Sequence, residues 1–165
     1  MDKLDIVNGK VKSLEDLLPL VHIWKFQEKK IVFTNGCFDL LHLGHIDYLA
    51  KAASMGQKLI IGLNTDKSVS DLKGPARPIT DQHSRASILA SLFFVDAVVY
   101  FSEPTPLNLI SAIKPDVLVK GADYTIDRIV GADVVLANGG EVKTITYIEG
   151  YSTTAIERKI RETSL

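Results

Sequence analysis

Five short apolar runs punctuate the chain: KIVFT at 30–34, KLIIGLN at 58–64, DAVVYF at 96–101, DVLVKG at 116–121 and EVKTITYI at 141–148. Each has strand length and is rich in β-branched residues. The segments between them are long enough for crossover helices, and two carry apolar residues at helical spacing. One places Ile46, Leu49, Ala50 and Ala53 on a single face and stops at Gly56. The other starts near Arg85 and carries Ile88, Leu89, Leu92 and Phe93. Ahead of the first run, SLEDLLPLVHIWKFQEKK has a capping Ser13, early acids and Leu14, Leu17, Leu18 and Val21 at helical spacing. It predicts a leading helix that Pro19 breaks or kinks.

Strands alternating with helices predict an α/β fold: a doubly wound, mostly parallel five-stranded sheet with helices on both faces. Residues 1–29 read as an N-terminal helical extension and 30–165 as one domain. In such sheets ligands bind beyond the carboxyl ends of the strands.

Composition narrows the function classes. Nineteen basic residues balance twenty acidic ones in 165 residues, so there is no broad positive field for nucleic acid. No apolar run approaches the ~20 residues of a membrane span. The first residues, MDKLDIVNGK, lack the apolar core of a secretory signal. A single cysteine forms no internal disulfide, and together these features predict a cytoplasmic protein.

The stretch FTNGCFDLLHLGH, 33–45, follows the first strand. Cys37, Asp39, His42 and His45 are candidate metal ligands, but structural zinc sites draw on two paired motifs and no second pair exists, so no metal site is predicted. Cys37 has no Cys-x-x-Cys partner for redox work. Phosphate binding explains more: Gly36 lets backbone approach a ligand, and the next helix aims its N–H groups at the same spot. His42 and His45 on its first turn add donors without fixed charge. His22 and His83 read as ordinary surface or core residues.

Three further stretches fall at strand ends. In DLKGPARP, glycine and prolines hold Lys73 and Arg77 on an irregular loop suited to a substrate phosphate. Arg85 opens a helix, where a cation opposes the dipole and calls for an anionic partner. VKGADY offers Lys120 to phosphate, the small Gly121 to a base, and Asp123 to hydroxyls. EGYSTTAIERKI puts Ser152, Thr153 and Thr154 at a helix start, for capping or for phosphate.

HLGH resembles the His-x-Gly-His motif of nucleotidyltransferases with a Rossmann-like sheet, and GCFDLLHLGHIDYLAKA resembles the cytidylyltransferase-type branch. LKGPARPIT with Arg85, LVKGADY, ANGGEV and EGYSTTAI together resemble bacterial heptose 1-phosphate adenylyltransferases in stand-alone form. The resemblance implies attack by a sugar-phosphate oxygen on the α-phosphorus of ATP with magnesium, giving ADP-heptose and pyrophosphate for lipopolysaccharide inner core. It implies catalytic roles for His42, His45, Lys73 and Arg85, and substrate binding by Lys73 and Arg77. Asn35, Gly36, Cys37, Phe38, Asp39, Lys120, Gly121, Asp123, Ser152, Thr153 and Thr154 would meet the nucleotide. Asp39 would either orient a lysine, hydroxyl or hydrated magnesium, or cap a helix. A separate heptose kinase and a homodimer are further expectations of the family. Related glycerol-phosphate cytidylyltransferases carry an arginine where this chain has Tyr147 and Ile148, which argues against a polyol-phosphate cytidylyltransferase. A non-catalytic nucleotide-binding domain is the remaining alternative, and the intact histidine pair argues against it.

Overall fold

The computed structural model describes residues 2–122 and 125–163. The chain folds as helix α1 (Lys3–Asn8), strand β1 (Val11–Lys12), α2 (Leu14–Phe26), β2 (Ile31–Gly36), α3 (Leu43–Ala53), β3 (Lys58–Asn64), α4 (Asp66–Lys73), α5 (Gln82–Ser91), β4 (Ala97–Phe101), α6 (Leu107–Ile113), β5 (Val117–Gly121), α7 (Ala132–Ala137), β6 (Glu141–Ile145) and α8 (Thr153–Thr163). A 3₁₀ turn, Ile126–Arg128, sits between β5 and α7. Among the described residues the strands form one sheet in the order β1-β4-β3-β2-β5-β6, with every pair parallel.

The sheet therefore has six strands where the apolar runs predict five. The addition is β1, whose Val11 and Lys12 pair with Val98 and Val99 of β4. Two residues carry no readable period, so only the exposed flank of β4 reveals this strand. Ser13 caps α2 through the Asp16 amide as predicted. The helix runs on through Pro19, because Leu17 and Val21 on its inner face are buried in the core.

Side chains alternate across the strands and build two cores. Phe33, Ile60, Val99 and Leu118 face α2, α6 and α7. Val32, Ile61, Val98 and Val119 face α3 and α5. Both faces are covered, which is why these strands read as continuous apolar runs.

Chain order fixes where a ligand goes. From β2 the chain moves outward through β3 to β4, then crosses back to place β5 and β6 on the other side. The direction reverses between β2 and β5, and a crevice opens at such a switch point. The register shows it: β2 pairs with β3 at six positions but with β5 at only Val32↔Val117 and Phe33↔Leu118. Beyond Phe33 the two strands part.

Candidate active site

A cavity of about 500 Å³ occupies that parting, lined by the carboxyl ends of β2, β3, β4 and β5. Asn35 and Gly36 are the last residues of β2, so the strand extends two residues past its predicted end. Lys120 spans the seam and donates from Nζ to Asn35 Oδ1 at 2.6 Å. Beneath it the Tyr48 hydroxyl hydrogen-bonds Thr34 Oγ1 at 2.7 Å and donates to the Val119 carbonyl at 3.2 Å. Tyr48 also packs on Tyr147, with ring centroids 5.4 Å apart, and both rings line the cavity.

Gly36 does not serve as a gap for ligand alone. A Cβ there would lie 3.0 Å from the Phe38 ring, so the glycine makes room for Phe38, whose φ of 47° turns the chain back over the strand end. That ring meets His45 edge-on at 5.3 Å. His42 is the N-cap residue of α3 but makes no side-chain capping bond. Instead its ring stacks on His45, centroids 3.9 Å apart and planes 21° from parallel. Gly44 permits this, because a Cβ there would sit 3.1 Å from the His42 ring.

Both imidazoles are held uncharged. Burial lowers the His42 pKa. Burial, then the neighbouring His42, then the Lys73 charge lower that of His45 to about 4, against the Leu40 backbone, which favours the charged form. The Nδ1 atoms of both are buried and without a hydrogen-bond partner among the described residues. An unsatisfied buried nitrogen costs ~1–3 kcal/mol, so the pair is held at an expense to stability.

Asp39 neither caps α3 nor faces the cavity with free oxygens. Its carboxylate accepts from the Ile79 and Thr80 amides at 2.8 and 3.0 Å and from Arg77 at 2.6 Å. The Thr80 hydroxyl donates to its backbone carbonyl. Burial raises its pKa, but the Thr80 amide, Arg77 and the Ile79 amide outweigh burial and hold it below the ordinary value.

Two predicted phosphate ligands are placed otherwise. Arg77 joins Asp39 to Glu157 of α8, 2.5 Å away, so both terminal nitrogens of its guanidinium are engaged by carboxylates, and it is not among the cavity-lining residues. Arg85 is 1% exposed. It donates to the carbonyls of Thr80, Cys37 and Asn64 and to the Asp66 carboxylate. The anion its helix position called for is Asp66, with three carbonyls beside it, and Arg85 is not among the described residues that line the cavity. It fixes the Cys37 turn from behind.

The remaining residues divide. Lys73, the last residue of α4 rather than a loop residue, lines the cavity with Cys37, Lys120, Gly121 and Thr153. Burial raises the Cys37 thiol pKa, which keeps it a neutral wall. Ser152 caps α8 through the Ala155 amide at 3.1 Å, and Thr154 is exposed. Asp123 lies outside the described residues. Reading by motif missed Asn64, Thr105 and Arg128, all of which line the cavity. Each stands at or after a strand's carboxyl end, which was the signal available.

The cytidylyltransferase-like family matches residues 33–159. The chain belongs to the cytidylyltransferase-like family. It is thus a nucleotidyltransferase by descent, and the cavity sits where the His42–His45 segment begins α3. The bifunctional protein HldE of Methylobacillus flagellatus is 53% identical over 92% of this chain. That of Geobacter metallireducens is 54% identical over 93%. The chain spans about a third of the length of these curated relatives, 31% in each case. Among solved structures, a lipopolysaccharide core biosynthesis protein from Thermoplasma volcanium is 28% identical, with a TM-score of 0.58 over 75% of this chain and 99% of that one. A pantoate-beta-alanine ligase from Francisella tularensis shares the fold at 17% identity, with a TM-score of 0.61 over 94% of this chain and 78% of that one. No described helix of this cytidylyltransferase-like chain is long and apolar enough to cross a membrane.

Proposed function

We propose that the chain transfers an adenylyl group from ATP to D-glycero-beta-D-manno-heptose 1-phosphate, giving ADP-heptose and pyrophosphate. The stacked, uncharged histidine pair with unpartnered Nδ1 atoms beside the seam is the observation that carries it. Family membership supports nucleotidyl transfer. The sugar is supported by the motif resemblance to heptose 1-phosphate adenylyltransferases, by half-identity to the HldE proteins and by the solved lipopolysaccharide core relative.

An oxygen of the sugar phosphate attacks the α-phosphorus while the bond from that phosphorus to the β-phosphate bridge breaks. Pyrophosphate leaves with the electron pair, and no covalent enzyme intermediate forms. The protein's work is positioning and charge stabilisation. His45 and His42 would donate to oxygens on which charge builds, with Lys73 beside them neutralising phosphate. The uncapped N-terminus of α3 would favour the same anion. Gly121, at the carboxyl end of β5, would admit a base, and Thr153, the first residue of α8, would meet phosphate.

Magnesium would enter with the triphosphate as part of the substrate. Asp39 is the carboxylate among the described lining residues, and its oxygens are engaged by Arg77, Ile79 and Thr80. In this scheme the sugar arrives already phosphorylated, the product of a separate kinase site. Pyrophosphate release across a panel of nucleotides and sugar phosphates tests the proposal. Turnover with ATP and a heptose 1-phosphate supports it, and preferred use of CTP with glycerol 3-phosphate overturns it.

A further inference from the structure

Three cationic side chains line the cavity among the described residues: Lys73, Lys120 and Arg128. Two already have evident places. Lys73 stands close enough to His45 and Cys37 for its charge to bear on both, so it belongs to the histidine wall. Lys120 bridges to Asn35 across the floor. Arg128 stands on the opposite wall, with Thr105, Pro106, Ile129 and Val130. Its guanidinium has no hydrogen-bond or ion-pair partner among the described residues.

Its backbone, by contrast, is fixed. The Arg128 amide donates to Thr125 at 2.9 Å, closing the 3₁₀ turn. The next residue, Ile129, is 4% exposed and packs into the core beneath α6 and α7. An arginine on an anchored turn at a cavity wall, without a carboxylate partner among the described residues, suits a phosphate dianion that accepts two parallel hydrogen bonds.

The reaction needs such a group there. Two phosphate-bearing molecules must meet in one cavity, and the histidine wall accounts for the triphosphate. Arg77, the cation expected to grip the acceptor, is bound to Asp39 and Glu157 instead. We infer that Arg128 is the acceptor-side ligand: its guanidinium holds two non-bridging oxygens of the sugar phosphate and leaves the third to attack the α-phosphorus. This deepens the proposed adenylyl transfer and presupposes it. It assigns acceptor selection to the loop between β5 and α7 rather than to the loop after α4.

The test compares the full chain with Arg128→Ala and Arg128→Lys, each checked for an unchanged melting temperature. Initial rates are measured with ATP and heptose 1-phosphate, and binding of each ligand is followed separately by calorimetry. The alanine variant is expected to raise the acceptor KM at least about tenfold while the ATP KM moves less than about twofold. The lysine variant, with the charge but not the fork, should fall between. An acceptor KM that stays put, or an ATP KM that rises as much, overturns the assignment. If the unaltered chain turns over no sugar phosphate, adenylyl transfer to a sugar falls by itself. Calorimetry with a sugar 1-phosphate then still decides Arg128: binding lost in the alanine variant supports it, and equal binding or none to either chain removes it.

Discussion

The His42 and His45 rings stack 3.9 Å apart, and burial, joined at His45 by the neighbouring ring, lowers the pKa of both. Two imidazolium ions could not share that spacing in a half-buried site. The pair is therefore neutral at physiological pH and able to donate without repelling magnesium bound to a triphosphate.

The pH dependence follows. An imidazole whose pKa is lowered on folding binds fewer protons folded than unfolded, so stability is fully present above pH 6.5 and falls as pH drops toward about 4. His45 should titrate near 4 by NMR of its ring protons, and chemical stability should decline across that window. Titration near 6.5 would show that the buried stack does not form.

Replacing either histidine by alanine should cut turnover ~100- to 1000-fold while ATP affinity changes little, because the donors are proposed to act on charge that grows in the transition state. Steady-state kinetics with ATP binding by calorimetry separates the two effects. Near-normal turnover in either variant would remove that residue from the chemistry.

Arg77 and Lys73 lie only a few residues apart, yet they should fail differently. Arg77→Ala leaves the Asp39 carboxylate, with a side chain 1% exposed, without its cation and should cost on the order of 3 kcal/mol. A denaturant melt measures that loss, and faster amide exchange in α8 would report release of Glu157. Lys73→Ala, on the exposed end of α4, should leave the melt nearly unchanged and lower turnover instead.

Magnesium should be required in the assay, supplied with ATP, and no stoichiometric zinc should copurify. Among the described residues no group of three or more His, Cys, Asp or Glu is placed to hold a metal ion. Metal analysis checks this. Zinc present at one equivalent, and lost from a His42/His45 double variant, would overturn it.

The fold was legible because apolar runs and crossover spacing report burial on both faces. β1 was not, since two residues have no period. Within the site, small residues and histidines were legible as types but not always as roles. Gly36 and Gly44 make room for rings on neighbouring residues, a relation visible only in three dimensions. Arg77 and Arg85 looked like ligands because a sequence shows a cation without its partner. Asp39, Asp66 and Glu157 are respectively 38, 19 and 80 positions away from the arginines they hold. Arg128 went unnoticed for the converse reason, as an isolated cation in an aperiodic segment.

The parting of β2 from β5 means that the cavity's floor is the hydrophobic core's own upper layer. Tyr48 makes the point, with one face in the apolar cluster under α3, a hydroxyl stitched to Thr34 and Val119, and a ring edge in the cavity. Evolution cannot widen this cavity by lengthening a surface loop. It must loosen a join on which folding also depends. New substrates are therefore more cheaply accommodated on the walls, at segments such as 104–106 and 126–130, than at the base. Divergence in specificity should accumulate around the rim while the floor stays as stability requires it.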